Sequence, residues 1–315
     1  MMLIFSIGLS IDAGSAMYTG GAFAGQAAEE GSGMLFYLIA VIAGIGNSFF
    51  HVGGGISVLR SDFGHAAKPG IFVSTGAMGV FLGPVIAAKN PNQAVSAAVC
   101  CAGMCILGIA LYIFAKNQQF DVKVPVITDA SLIGDARSRA VSARTASAGA
   151  ILILMTICIR SYAGTIMTYS WKAVPLLGFL FALGTVLGKA LGGIIGDRKG
   201  WSKTAVTSLL ISMCLFVFAG KSPVCGIAGV LLFNMTMPIT LTALACLFGR
   251  KYAGAAFGMT TFALFLGTLP GVISNITGAS VGGQANLPAV TFISAAIICA
   301  GLACVKQVRG GGGNG

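Results

Sequence analysis

Long apolar runs separated by short polar joints set the rhythm of this chain. Crossing the ~30 Å hydrocarbon core of a bilayer takes ~20 helical residues. Ten runs are about that long: Met1–Gly20, Met34–Leu59, Gly70–Ala88, Ala94–Ala115, Ala146–Tyr169, Ala173–Gly196, Ala205–Gly220, Val224–Phe248, Ala253–Thr277 and Leu287–Val305. Each is roughly twice the length of a barrel strand and lacks its in-out alternation, so all ten are predicted to be helices. One joint differs from the rest. Lys116–Thr145 is polar, charged and about thirty residues long, whereas the others are about a dozen residues or fewer. It divides four spans from six. The predicted organisation is a partial helical bundle over 1–115, a central loop over 116–145, a six-helix bundle over 146–309 and a glycine-rich tail over 310–315.

Composition strengthens the membrane reading. Hydrophobic residues make up 56% of the chain and charged ones 9%, with a mean hydropathy of +0.92, against about a quarter charged in an ordinary soluble domain. The net charge of +11 sits in short clusters between the apolar runs, which reads as topology rather than as a nucleic-acid surface. With the N-terminus inside, the inner joints hold fourteen basic residues, among them Arg60, Lys68, Arg144, Arg198, Lys199, Lys203, Arg250 and Lys251. The outer joints hold three: Lys89, Lys172 and Lys221. Both termini are therefore expected in the cytoplasm, and the chain in the plasma (inner) membrane. The first apolar run lacks a preceding basic stretch, so no cleavable signal is expected. The nine cysteines lie in or beside apolar runs without paired metal-ligand spacing, and are expected to be small buried thiols. No cofactor or metal is implied, and a monomer is expected.

The two halves carry a faint repeat. PGIFVSTGAMGVFLGPVI from Pro69 aligns without gaps on AGAAFGMTTFALFLGTLP from Ala253, matching Gly70 with Gly254 and Phe81-Leu82-Gly83 with Phe265-Leu266-Gly267. Just upstream, Phe63-Gly64 parallels Phe248-Gly249. The third span of the first half then corresponds to the fifth of the second, leaving the first half two helices short. A truncated six-plus-six plan, or a chain clipped at Met1, is the expectation.

After the sixth span the chain reads Gly193-Ile-Ile-Gly-Asp197-Arg198-Lys199-Gly200-Trp201-Ser202-Lys203. This resembles the signature of the major facilitator superfamily, a glycine, three residues, then Asp-Arg-x-Gly and basic residues, between the second and third helices of a six-helix half. The resemblance implies an all-α, two-bundle membrane fold and a loop that holds the inner side shut. Asp197 would then sit at the positive N-terminal end of a neighbouring helix, expected to be the one starting near Ala253. Trp201-Ser202 departs from the usual basic pair, with Lys203 as the substitute. The plainer reading is a tight basic loop. Gly79-Val-Phe-Leu-Gly83-Pro84 resembles the family's Gly-Pro motif, where proline permits a helix bend. Gly44-Ile-Gly-Asn47-Ser-Phe-Phe-His51, with Ile159-Arg160-Ser161, is similar to the fosmidomycin-resistance-like exporters of that superfamily.

Gly184, Gly188, Gly192 and Gly196 recur every four residues along one span, a smooth stripe that lets another helix approach. Ionisable groups at membrane depth cost about 2.5 to 3.5 kcal/mol on insertion scales, and four are placed there: Asp12, His51, Arg160 and Lys189. Arg160 and Lys189 are candidates for binding an anionic substrate, Arg160 by a two-point grip on a carboxylate or phosphonate. An internal ion pair with Asp12, or a charge nearer the outer surface than these boundaries allow, is the alternative. Asn47 and Asn234 are further substrate-binding candidates, and Asp12 and His51 are candidates for carrying a coupling proton. No Walker motif appears. The function expected is secondary active transport of a small solute by alternating access, coupled to protons as the family implies and directed to efflux of an anionic compound or drug. A membrane-embedded enzyme or a non-transporting membrane protein is the alternative.

Overall fold

The computed structural model describes residues 53–77, 136–278 and 282–310. The spans predicted at Met1–Gly20 and Ala94–Ala115, and parts of the two between them, lie outside the described residues. So do Asp12, Asn47, His51, Gly83 and Pro84. The chain forms two compact units, one of Val52–Phe81 with Ser142–Gly315, the other of Met1–His51 with Leu82–Val141. Nearly all described residues belong to the first.

That unit is helical, with no strand among the described residues. We number its helices α1 (residues 53–61) and α2 (67–77), α3 (Ala136–Ile166), α4 (Pro175–Lys199), α5 (Trp201–Phe218), α6 (Pro223–Asn234), α7 (Thr236–Phe248), α8 (Ala253–Thr277) and α9 (Leu287–Gly310). Among the described residues, six stretches are long and apolar enough to cross a membrane: Ala143–Ile166, Pro175–Lys199, Trp201–Phe218, Pro223–Phe248, Arg250–Ser274 and Gln284–Val308. They coincide with the six spans predicted after residue 145.

Three expectations need correction. The central loop was expected to run to Thr145, but α3 begins at Ala136. Its first turns are rich in alanine and arginine, good helix formers that carry the helix into the polar region where hydropathy falls. The span predicted at Val224–Phe248 is two helices, α6 and α7, parted at Met235. Pro238 has no N–H to give the Asn234 carbonyl four residues back, so the helical ladder is interrupted there. The six described cysteines are not the buried thiols expected: Cys214 and Cys299 are exposed, and Cys158, Cys225, Cys246 and Cys304 are half-buried, while Cys100, Cys101 and Cys105 lie outside the described residues. Apolar composition does not distinguish a face turned to protein from one turned to lipid.

Ile153, Ile157, Leu209, Ile239, Leu244 and Ile298 are among the large side chains sealed in the core. The α6–α7 span is mostly buried, while in each of the other five less than half of the most apolar window is buried. It is thus the inner member of the bundle. Outward, Ile151, Val217, Phe262 and Phe292 are each more than half exposed, a surface suited to hydrocarbon.

The glycine stripe explains how α4 meets this inner span. All four glycines are buried. A Cβ at Gly188 or Gly192 would overlap the backbone of Leu231 or Met235, while one at Gly196 would rest 3.2 Å from the end of the Ile239 side chain. Backbone thus lies directly on backbone at the middle of the stripe, as in small-residue membrane contacts.

The end of the bundle away from Asp197 is closed by aromatics on the α3–α4 connection. Tyr169 stacks on Trp171 with ring centroids 5.1 Å apart, and the Trp171 indole donates to the Ala219 carbonyl at 2.8 Å. The Lys172 ammonium lies 4.5 Å over the Phe181 ring and donates to the Met167 carbonyl at 3.1 Å. Burial pushes the Tyr169 phenol from its ordinary 10.0 up to about 12, and burial holds Lys172 below its ordinary 10.5.

Two outcomes follow. Gly192→Ala should destabilise the bundle by about 1 to 3 kcal/mol through overpacking, whereas Gly196→Ala, where a flexible side chain yields, should lower the thermal midpoint in detergent far less. Equal shifts would contradict the backbone contact. For Tyr169, only the unfolded chain ionises between pH 10.0 and about 12, so its contribution to stability is whole below that interval and fades as pH rises through it. Absorbance titration of the wild type minus Tyr169→Phe should show one phenol ionising near pH 12, and ionisation near 10 would count against its burial.

Candidate functional site

Two places combine charge with burial. The first is the junction of α4 and α5 with the start of α2. Ala66, the residue just before α2, has no side-chain oxygen to cap the orphan N–H groups of a first turn, and Pro69 lacks one of those N–H groups altogether. The cap comes from α4. Asp197 accepts from the Ala66 N–H at 2.9 Å and from the Ala67 N–H at 2.8 Å. Its Oδ1 also accepts from the Trp201 indole N–H at 3.0 Å. A carboxylate held there gains from both the hydrogen bonds and the positive helix end.

The expected chemistry is present, but its partner helix is different. Asp197 caps α2, not α8 at Ala253. The repeat pairs the stretch from Pro69 with the stretch from Ala253, and Asp197 meets the first-half member of that pair. The turns before the two helices also share a conformation, since Gly64 and Gly249 both have positive φ, 89° and 80°. Trp201, a departure from the family's basic residue, supplies the third hydrogen bond, and Lys203 is exposed. An indole N–H where a donor is wanted was the signal available in the sequence. Arg198 is exposed as well, and Gly200 turns the chain between α4 and α5 at φ 95°. Gly193 lies against Ala66 so closely that a Cβ would overlap its carbonyl.

A second tie went unread in the sequence. Arg60, ending α1, donates to the Lys251 carbonyl at 3.0 Å, and Arg250 donates to the Arg60 carbonyl at 2.7 Å. Cations belong at a helix C-terminus, but nothing in their spacing joins residues this far apart in the chain.

The second place is the interior. Arg160 on α3 is 6% exposed, and its Nε and Nη2 have no hydrogen-bond partner. Lys189 on α4 is half-buried and within Coulombic reach of Arg160. It shares the stripe of Gly193 and Asp197, four and eight residues on, the face that meets α2. Its backbone carbonyl is close to Gly70 of α2, where a Cβ would come within 2.7 Å. Asn234 is buried at the α6–α7 break and donates from Nδ2 to the Val230 carbonyl at 2.9 Å. The structure therefore brings Arg160 and Lys189 into one electrostatic neighbourhood. The described residues include two acids, Asp62 and Asp197. Asp62 pairs with His65 at 2.9 Å and Lys68 at 3.5 Å, and Asp197 is committed to α2.

Among solved structures, the chain is similar to the E. coli fucose:proton symporter, with a TM-score of 0.52 at 12% sequence identity, covering 97% of this chain and 83% of that one. The fold is of the major facilitator type. No protein-family model matches the sequence, and no curated protein matches it either.

Asp197→Asn should weaken the cap by about 1 kcal/mol, which is about fivefold faster hydrogen exchange at the Ala66 and Ala67 amides. Trp201→Phe, which leaves both backbone bonds in place, should accelerate them less. Unchanged exchange in Asp197→Asn would show that the carboxylate does not hold α2.

Proposed function

We propose that this chain is a secondary active transporter that moves a small anionic solute by alternating access, with Arg160 and Lys189 binding the anion. The observation that carries the reading is the pair of cations within Coulombic reach inside an apolar bundle, with two guanidinium nitrogens of Arg160 buried and unpartnered. A guanidinium so placed costs several kcal/mol unless an anion and hydrogen-bond acceptors meet it. A planar carboxylate or a phosphonate offers two acceptor oxygens to its fork. The major facilitator fold supports the transport mechanism, in which helical bundles rock about a site near the bilayer midplane.

In this reading the Asp197 end faces the cytoplasm, because Arg198, Lys199, Lys203, Arg250 and Lys251 gather on the joints at that end. Asp197 and Trp201, with Gly193 and Gly200 shaping the turn, hold α2 against α4 and form the gate on that side. The coupling ion is a proton carried by Asp12 or His51, and transport runs outward. These finer assignments rest on the sequence and its resemblance to the exporters. The chain lies in the plasma (inner) membrane with both termini inside.

Flux into proteoliposomes of a panel of organic anions and organic cations tests the reading. Anions should move, and Arg160→Ala should abolish their flux while thermal stability in detergent is retained. Removing one charged hydrogen-bond partner costs about 1.5 to 3 kcal/mol, so Lys189→Ala should raise the apparent Kd about ten- to a hundredfold. Cation flux that survives Arg160→Ala would refute the anion site. Replacing His51 and Asp12 singly should remove the response to an imposed pH gradient, and an unaltered response in both would remove the proton assignment.

A further inference from the structure

At the end of the unit opposite Asp197, a half-open cavity of about 460 Å³ is lined by Tyr169, Phe216, Val217, Lys221, Gln284 and Pro288, among others. Its size falls within the roughly 300 to 1,000 Å³ of small-molecule sites. Tyr169 is 5% exposed, and its hydroxyl is buried without a hydrogen-bond partner. An unsatisfied buried hydroxyl costs about 1 to 3 kcal/mol. Like any phenol it is protonated, and so a donor, at physiological pH. Gln284 is fixed in the wall, its amide donating to the Thr168 carbonyl, while the Lys221 ammonium is exposed at the rim. The acids of the described residues, Asp62 and Asp197, both belong to the other end. The polar groups therefore favour an anion.

The cavity's position narrows the choice of ligand. It straddles the end of the α5 span at Phe218 and the start of the last span at Gln284, the depth at which bilayer headgroups begin. α5 and α9 lie side by side. Along their outer faces run Ile211, Val217 and Phe218 on α5 and Phe292 and Ile293 on α9, each at least half exposed. A soluble anion uses the polar end and ignores this apolar track. A molecule with an anionic head and an acyl chain uses both. The Tyr169–Trp171 stack sits at the level where aromatic belts meet headgroups.

We propose that this cavity binds the headgroup of an anionic phospholipid, the phosphate pairing with Lys221 Nζ at the rim while the Tyr169 side chain turns its buried hydroxyl to it, and an acyl chain lying along α5 and α9. The site is separate from the Arg160–Lys189 pair and does not depend on the transport reading.

Trp171 is a built-in reporter, because it stacks on Tyr169 and the chain has one other tryptophan, Trp201 at the opposite end. The full chain is reconstituted in phosphatidylcholine vesicles doped with phosphatidylglycerol or phosphatidylcholine, each brominated on its acyl chains and present at the same mole fraction. Brominated phosphatidylglycerol should quench tryptophan emission at least about twofold more than brominated phosphatidylcholine, the excess reflecting occupancy of a charged site. Lys221→Gln, at an exposed position, and Tyr169→Phe should each bring quenching down to the phosphatidylcholine level. Millimolar inorganic phosphate should leave the excess in place. Equal quenching by the two lipids, an excess that survives Lys221→Gln, or an excess abolished by inorganic phosphate would each overturn the proposal, the last by making this a site for a free anion.

Discussion

Hydrocarbon offers no hydrogen bonds, and every polar group placed in it must find a partner within the protein. That constraint makes each span a helix, since a helix satisfies its own backbone. It extends to the side chains as well. The hydroxyls of Thr156, Thr260 and Thr291 donate to carbonyls four residues back on their own helices, so they cross the apolar layer at little cost. Where a hydroxyl turns to another helix it joins the two, as Ser161 does to the Leu264 carbonyl at 2.6 Å and Ser212 to the Gly229 carbonyl at 2.8 Å.

Because lipid tails are as apolar as leucine, burial does little to draw such helices together, and close packing must do it. The stripe on α4 is the clearest case, since its middle glycines let two backbones touch. The α6–α7 break lies against the same stripe, with Met235 facing Gly192. Proline opens the ladder of the inner span there, where a neighbouring helix without side chains can accommodate the displaced backbone. Asn234, beside the break, answers the Val230 carbonyl with its own amide.

Against this background of satisfied groups the exceptions gain meaning. Asp197 is itself satisfied, its bonds running to Trp201 and to a helix far away in the chain. Arg160 and the Tyr169 hydroxyl, like the Thr204 and Thr242 hydroxyls, lack partners, Arg160 deep among the helices and Tyr169 beside the cavity at the end of the bundle. Both proposals rest on Arg160 and Tyr169, and they require different ligands, a solute in the interior and a lipid at the rim.

The number and approximate placement of the six described spans were legible because hydropathy and length are local properties that a window along the chain can measure. The Asp-Arg-x-Gly loop was legible for the same reason, its spacing being contained in one turn. The resemblance of that loop to the superfamily signature also implied that Asp197 would meet a helix end, where a carboxylate gains from the positive N-terminus. Which helix end it would find, α2 rather than α8, was decided only by the tertiary structure, because two repeat-related helices offer the same N-terminal charge and geometry alone chooses between them. The outward-facing cysteines, the Arg60–Arg250 exchange and the approach of Lys189 to Arg160 were likewise fixed in three dimensions. Each depends on which face of a helix meets which neighbour, and an almost uniformly apolar helix carries little record of its faces in the order of its residues.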